Sequence, residues 1–171
     1  MLEFSRDHYE LLEASLLPEG DEREHAAFLF ARLVDQRHLR VEAVEALTPE
    51  AFNVQSWGSL ALRDGALQEM ILRAHREELA LVEAHSHPFS LGPDVAFSPF
   101  DCEGLATTAP HVVWRLPGRP YGALVFGQSA FDGLLWAERQ PDPTGVLELA
   151  VDGVRKPASG ESFRRWGSDD R

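Results

Sequence analysis

A single cysteine, Cys102, stands in a chain of 171 residues, so no internal disulfide can form and a packed core must hold the fold. A domain of this length buries roughly two-thirds of the surface its unfolded chain exposes, which suffices without a covalent staple. Long apolar runs are missing too. No stretch approaches ~20 consecutive apolar residues, so no transmembrane helix is expected. The opening MLEFSRDHYE lacks a charged segment followed by an apolar run, so no secretory signal is expected. The expected setting is a reducing cytoplasm. Basic residues are scarce, 16 against 28 acidic, for a formal charge of −12. That disfavours DNA or RNA as a partner, because basic surfaces bind phosphate backbones. The charge suits a basic partner protein, and it also keeps a chain soluble with no partner at all.

What is present reads as one domain over residues 1–154 followed by a polar C-terminal tail over 155–171. Residues 7–17 form a helix with Tyr9, Leu12 and Leu16 on one face and Pro18 beyond its end. The apolar runs at 25–34 and 39–48 read as a strand hairpin, although the first also fits a short buried helix. Residues 49–62 are ambiguous, with a short strand at 59–62. The clearest helix covers 64–78, with Leu67, Met70, Ile71 and Ala74 as its stripe and Asp64 as N-cap. LALVEAHSHP is a buried strand, and Ser98-Pro99 opens a helix. HVVWRL and YGALVF read as strands joined by the turn PGRP, and 130–138 and 145–154 as two more. The fold class is therefore an α/β mixture (α+β) with strands mostly in hairpins, without the regular alternation of a doubly wound parallel sheet.

The chemistry concentrates in His85-Ser86-His87-Pro88 and Ser98-Pro99-Phe100-Asp101. Histidines two apart on a strand end point to one side of the sheet, so both imidazoles can reach one ion. An aspartate at the start of the next helix can supply a third ligand. Three protein ligands with one open position is the pattern of a catalytic zinc site. Each piece also has an ordinary use. A lone His-x-His is often incidental, and Ser-Pro-x-Asp caps helices. Asp94, in a Gly-Pro turn, competes with Asp101 as third ligand, and a turn carboxylate is usually just a turn former. His25, His38, His75 and His111 fit no pattern with these residues. Cys102 has no Cys-His signature around it and reads as a small buried residue.

His-x-His-Pro followed by Ser-x-x-Asp resembles the JAMM motif of the JAB/MPN metallopeptidases (Mov34/MPN/PAD-1-like), and the size is similar to that of the prokaryotic branch. That family also carries a glutamate three residues before a small residue that opens an apolar strand. Glu24-His25-Ala26-Ala27-Phe28 fits, with Glu22 as a weaker match. Two departures stand out: a long gap between His87 and Ser98, which loop-closure entropy tolerates, and alanine at positions 27 and 31 where glycine is common. The resemblance implies a JAB1/MPN-like (cytidine-deaminase-like) mixed sheet with flanking helices. It implies one Zn²⁺ on His85, His87 and Asp101, with Glu24 as general base and Ser98 as hydrogen-bond donor to the oxyanion. The implied activity is that of an isopeptidase or peptidase (deubiquitinase-like) cutting after the tail of a ubiquitin-like protein, by deconjugation or precursor processing. Associated activating and conjugating enzymes and a role in bacterial antiviral defence belong to the same expectation. The alternatives are a processing peptidase for a sulfur-carrier protein, or a non-catalytic MPN scaffold that binds partners without metal.

Overall fold

Between residues 26 and 35, Phe28 and Phe30 are buried in one hydrophobic cluster, while Leu29 and Ala31 are buried in another. Alternate side chains of a strand point to opposite faces. A strand apolar on both faces requires a cover on each. The computed structural model, which describes residues 1–35 and 38–166, supplies both covers. The chain runs β1 (Leu2–Phe4), α1 (Arg6–Leu16), β2 (Ala26–Asp35), β3 (His38–Ala46), a 3-10 turn (Pro49–Ala51), β4 (Phe52–Gln55), β5 (Leu60–Leu62) and α2 (Ala66–Arg76). It continues with β6 (Ala80–Ser86), α3 (Pro99–Arg115), β7 (Tyr121–Phe126), β8 (Phe131–Trp136), β9 (Gly145–Val146), β10 (Leu149–Val151), β11 (Val154–Lys156) and α4 (Glu161–Arg165).

Among the described residues, nine strands form one mixed sheet in the order β11-β10-β1-β3-β2-β6-β7-β8-β9, and β4 and β5 form a separate hairpin. Strand β1 lies parallel to both β10 and β3, and β6 is parallel to β7. The other sheet pairs are antiparallel. Helix α1 covers one face through Tyr9, Leu12 and Leu16, the stripe its sequence predicts. Helices α2 and α3 cover the other face, where Ile71, Ala74, Leu105, Ala109 and Val112 pack on Phe28, Phe30, Leu81 and Val125. The architecture is thus a mixed α/β sheet with flanking helices. Among the described residues, no helix is long and apolar enough to cross a membrane.

Several elements differ from the sequence expectations. HVVWRL is not a strand: α3 runs through Pro110 to Arg115. An interior proline costs a helix about 3 kcal/mol. Here Leu105, Ala109, Val112 and Val113 form a buried face that continues across it. Helix α2 begins one residue later than an Asp64 cap requires, with Gly65 at the N-cap in the left-handed conformation (φ 85°). The ambiguous stretch holds both strands of the β4–β5 hairpin. The run at 145–154 is broken into β9, β10 and the start of β11.

The described part of the polar tail belongs to the fold. Residues 154–156 pair with β10, and Ser162 on α4 is buried. Asp132 on β8, fully buried, accepts backbone hydrogen bonds from Gly133 (2.9 Å), Gly160 (2.9 Å) and Ser162 (2.8 Å). Ser162 Oγ in turn accepts from Phe97 N at 2.9 Å, and Ser159 Oγ donates to Val95 O at 2.6 Å. The tail thereby holds the loop that leads into α3.

Candidate metal centre

Strand β6 delivers His85 and His87 at its C-terminal end. Ser86 between them points to the opposite side and is fully buried. Its hydroxyl accepts from His25 N at 3.0 Å, and its own N–H donates to His25 O at 3.0 Å. The central residue of the His-Ser-His triplet therefore ties down the backbone next to Glu24. The β4–β5 hairpin holds that backbone from the other side: Glu24 N donates to Ser56 O at 2.8 Å and Gln55 Nε2 to Glu24 O at 3.1 Å. His87 N donates to Phe126 O at 2.7 Å, which extends the β6–β7 pairing past the strand end. The Phe89 ring stacks on the His87 ring at 5.0 Å, with 21° between their planes.

Helix α3 delivers the third group. Ser98 is its N-cap and Asp101 closes a capping box: Asp101 N donates to Ser98 Oγ at 3.2 Å and Ser98 N to Asp101 Oδ2 at 2.8 Å. The capping box orients the carboxylate towards the histidines. His85 Nε2 and His87 Nε2 lie 3.2 Å apart, and Asp101 Oδ2 is 3.6 Å from the first and 3.3 Å from the second. These three residues form a group able to hold a metal ion. Asp94 is exposed on the loop and outside the group.

Glu24 is buried beside the triad, with Oε1 3.9 Å from His87 Nε2. Glu22 is exposed. Burial pushes the Glu24 carboxyl above its ordinary value, although His87 and His85 oppose the shift. Burial alone would also raise Asp101, but hydrogen bonds with His85 and His87 outweigh it and hold this carboxyl well below the usual carboxylate range. For His85, burial works to lower the value; the Asp101 hydrogen bond and the charges of Asp101, Glu83 and Glu24 win, and the net shift is upward. The other histidines stay outside the cluster. His38 pairs with Glu3 at 2.8 Å, His111 accepts from Arg115 Nε at 3.1 Å, and His75 is exposed on α2. His25 reaches Asp21 at 3.1 Å. Cys102 is buried on α3 among core residues, as its surroundings in the sequence predict.

The sequence reading did not find Ser86, Asp132, Ser162 or Glu83. Ser86 carried a readable signal, because the residue between two same-face histidines has to point to the other face. Glu83 carried the same one, lying two residues before His85 on the histidine face. The Asp132 and Ser162 contacts join distant segments and leave no local pattern.

No protein-family model matches the chain, and no curated protein matches it. Among solved structures, the chain is similar to the solution structure of protein DSY2949 from Desulfitobacterium hafniense, a structural genomics consortium target. The TM-score is 0.53 at 18% identity, over 89% of this chain and 93% of that one. The likeness covers nearly the whole of both chains and is one of fold: a mixed α/β sheet with flanking helices.

Proposed function

We propose that this protein is a zinc-dependent peptidase or isopeptidase with a JAB/MPN-type fold, acting after the C-terminal tail of a ubiquitin-like protein. The observation that carries the reading is the donor triangle of His85, His87 and Asp101, with edges of 3.2, 3.3 and 3.6 Å and a buried carboxylate beside it. Tetrahedral zinc with ligands at 2.0–2.1 Å sets its donors roughly 3.3 Å apart. Two imidazoles and a carboxylate are also a donor set zinc accepts, and three protein ligands leave a position open for substrate. When bound, the ion supplies Lewis acidity and brings the pKa of water to about 7.

The remaining work falls to the chain's own groups. Glu24 Oε1 takes the proton of the attacking water and returns it to the nitrogen of the leaving amine. Its raised value suits this task, because a base that must also act as an acid works best near the operating pH. Ser98 Oγ has one proton, which it gives to Asp101 Oδ2 at 2.6 Å. The hydroxyl therefore serves the oxyanion of the scissile carbonyl only when it turns from Asp101. The exposed aromatics Phe89 and Phe100 line this crevice. Trp57 and Phe89 pack with their centroids 4.7 Å apart. An apolar rim of this kind suits an extended peptide more than a small polar substrate.

The test measures metal content and hydrolysis in the same preparations. The substrate is a ubiquitin-like protein joined through its tail to a reporter. Glu24→Gln is expected to keep zinc at wild-type stoichiometry and lose about 10²–10⁴-fold in rate, whereas Glu22→Gln keeps both. Wild-type protein that takes up less than ~0.2 zinc per chain after metal-replete expression would favour a scaffold over an enzyme.

A further inference from the structure

Behind the metal centre, a cavity of about 190 Å³ opens between the start of β2, strand β5 and helix α3. His85 and Asp101 form part of its wall, so it is continuous with the candidate centre. Phe28, Leu60, Leu62 and Leu105 make most of the remainder apolar. One acidic group other than Asp101 lines it: Glu83, on β6 two residues before His85 and on the same face of the strand.

The Glu83 carboxyl accepts a hydrogen bond from Tyr121 Oη, whose ring is fully buried. Among the described residues, no lysine or arginine forms an ion pair with Glu83. That leaves the carboxyl as an acidic acceptor facing an apolar space, and a long basic side chain matches both features. Its aliphatic stem would lie along Leu60, Leu62 and Leu105, as long basic side chains do on apolar surfaces. The overall charge of −12 draws such a guest towards the protein.

We propose that this cavity is a specificity pocket for a basic side chain, arginine or lysine, in the substrate tail, with Glu83 as its counter-charge. The proposal rests on the peptidase reading above. Position follows from strand geometry. Two residues of β6 separate Glu83 from His85, about 6.6 Å along the strand, and an extended peptide rises by the same ~3.3 Å per residue. A basic residue two or three positions before the scissile bond would span that distance. In the isopeptidase reaction the leaving group presents its own lysine stem on the other side of that bond, so there a side chain at backbone spacing comes from the tail.

The experiment uses tail peptides that differ at these two positions, carrying arginine, its neutral isostere citrulline, or glutamate. Each is made as a fluorogenic substrate for kcat/KM and as a labelled product peptide for anisotropy with zinc-loaded protein. Wild type is expected to favour arginine over citrulline by about 10–100-fold in both readouts, and glutamate least. In Glu83→Gln, which retains an acceptor for Tyr121, the arginine-to-citrulline ratio is expected to fall to about 1–3, with zinc content and Tm measured alongside to show an intact fold. Equal binding of arginine and citrulline peptides by wild type overturns the pocket without any variant, and so does a Glu83→Gln protein that keeps the preference. Failure of wild type to cleave any peptide sinks the peptidase reading alone; the binding ratio then decides the pocket independently.

Discussion

Replacing Asp132 with alanine is expected to damage both stability and the metal centre, although Asp132 touches no candidate ligand. Its carboxylate is fully buried and accepts three backbone N–H groups, from Gly133, Gly160 and Ser162. Hydrogen bonds to a charged group contribute about 1.5–3 kcal/mol each, and partial resolvation at the half-buried Gly160 reduces the sum. The net cost is about 3–5 kcal/mol, the range in which losing a buried charged partner falls. For a domain of this size that corresponds to a drop of roughly 6–20 °C in Tm. Ser162 also receives Phe97 N, one residue before the Ser98 cap that orients Asp101. Once α4 is released, the loop into α3 gains freedom and zinc affinity is expected to fall about 10-fold, the scale on which loss of a ligand-supporting contact acts. Thermal unfolding of the metal-free protein, followed by a competitive zinc titration, measures the two effects separately. A Tm within 2 °C of wild type would refute the clamp, and lost stability with unchanged zinc affinity would refute its link to the metal centre.

Further outcomes concern the donors, the pH response and the packing of the sheet. His85→Ala and His87→Ala are each expected to lose zinc and hydrolysis together, and Asp101→Asn to weaken binding while Asp94→Asn does not, as read by metal analysis after dialysis; zinc retained at full stoichiometry in either histidine variant rejects the assignment. Zinc affinity is expected to fall as pH drops from about 7.5 to 5.5, because ligation needs neutral imidazole. His85, faced by Asp101, Glu83 and Glu24, is held above its ordinary value and takes up its proton early in that descent, while Asp101 stays ionised throughout. A flat affinity over this range would contradict the shift. Gly133→Ala puts a Cβ 2.5 Å from Leu147 O and 2.9 Å from Leu124 Cδ2. A backbone atom cannot yield as a side chain does, so urea unfolding is expected to show a loss of about 1–3 kcal/mol.

The candidate centre was legible because its residues sit at fixed local intervals. The two-residue period of a strand puts His85 and His87 on one face, and the capping pattern of Ser98 and Asp101 starts a helix. Helix α1 was legible for the same reason, through Tyr9, Leu12 and Leu16. Elsewhere local pattern misled. HVVWRL, with its β-branched pair Val112-Val113, read as a strand, and burial against the sheet keeps it in α3. Strand β1 has three residues, too few for periodicity to register, and its partners lie in β3 and β10. From sequence the tail read only as polar. Its role depends on two hydrogen bonds, one donated by Ser159 to Val95 O and one accepted by Ser162 from Phe97 N, that join it to a loop more than 60 residues away in the chain, and composition carries no trace of them.

The position of β1 bears on how the sheet is assembled during synthesis. Leu2 aligns with Leu39 on one side and with Leu149 on the other. A ribosome delivers the first partner soon after β1 and the second only when residue 149 has been made. Until β10 emerges, β1 presents an unpaired strand edge, the kind of surface that recruits other chains. All the candidate donors, from Glu24 to Asp101, are by then already translated, as are β6 and β7. The β1–β10 pairing and the clamp made by Ser159 and Ser162 follow, and contacts of such high sequence separation form slowly. A nascent chain stalled before residue 149 would therefore hold a nearly assembled ligand set on a sheet still open at one side, prone to aggregate before the loop that aims Asp101 is fastened.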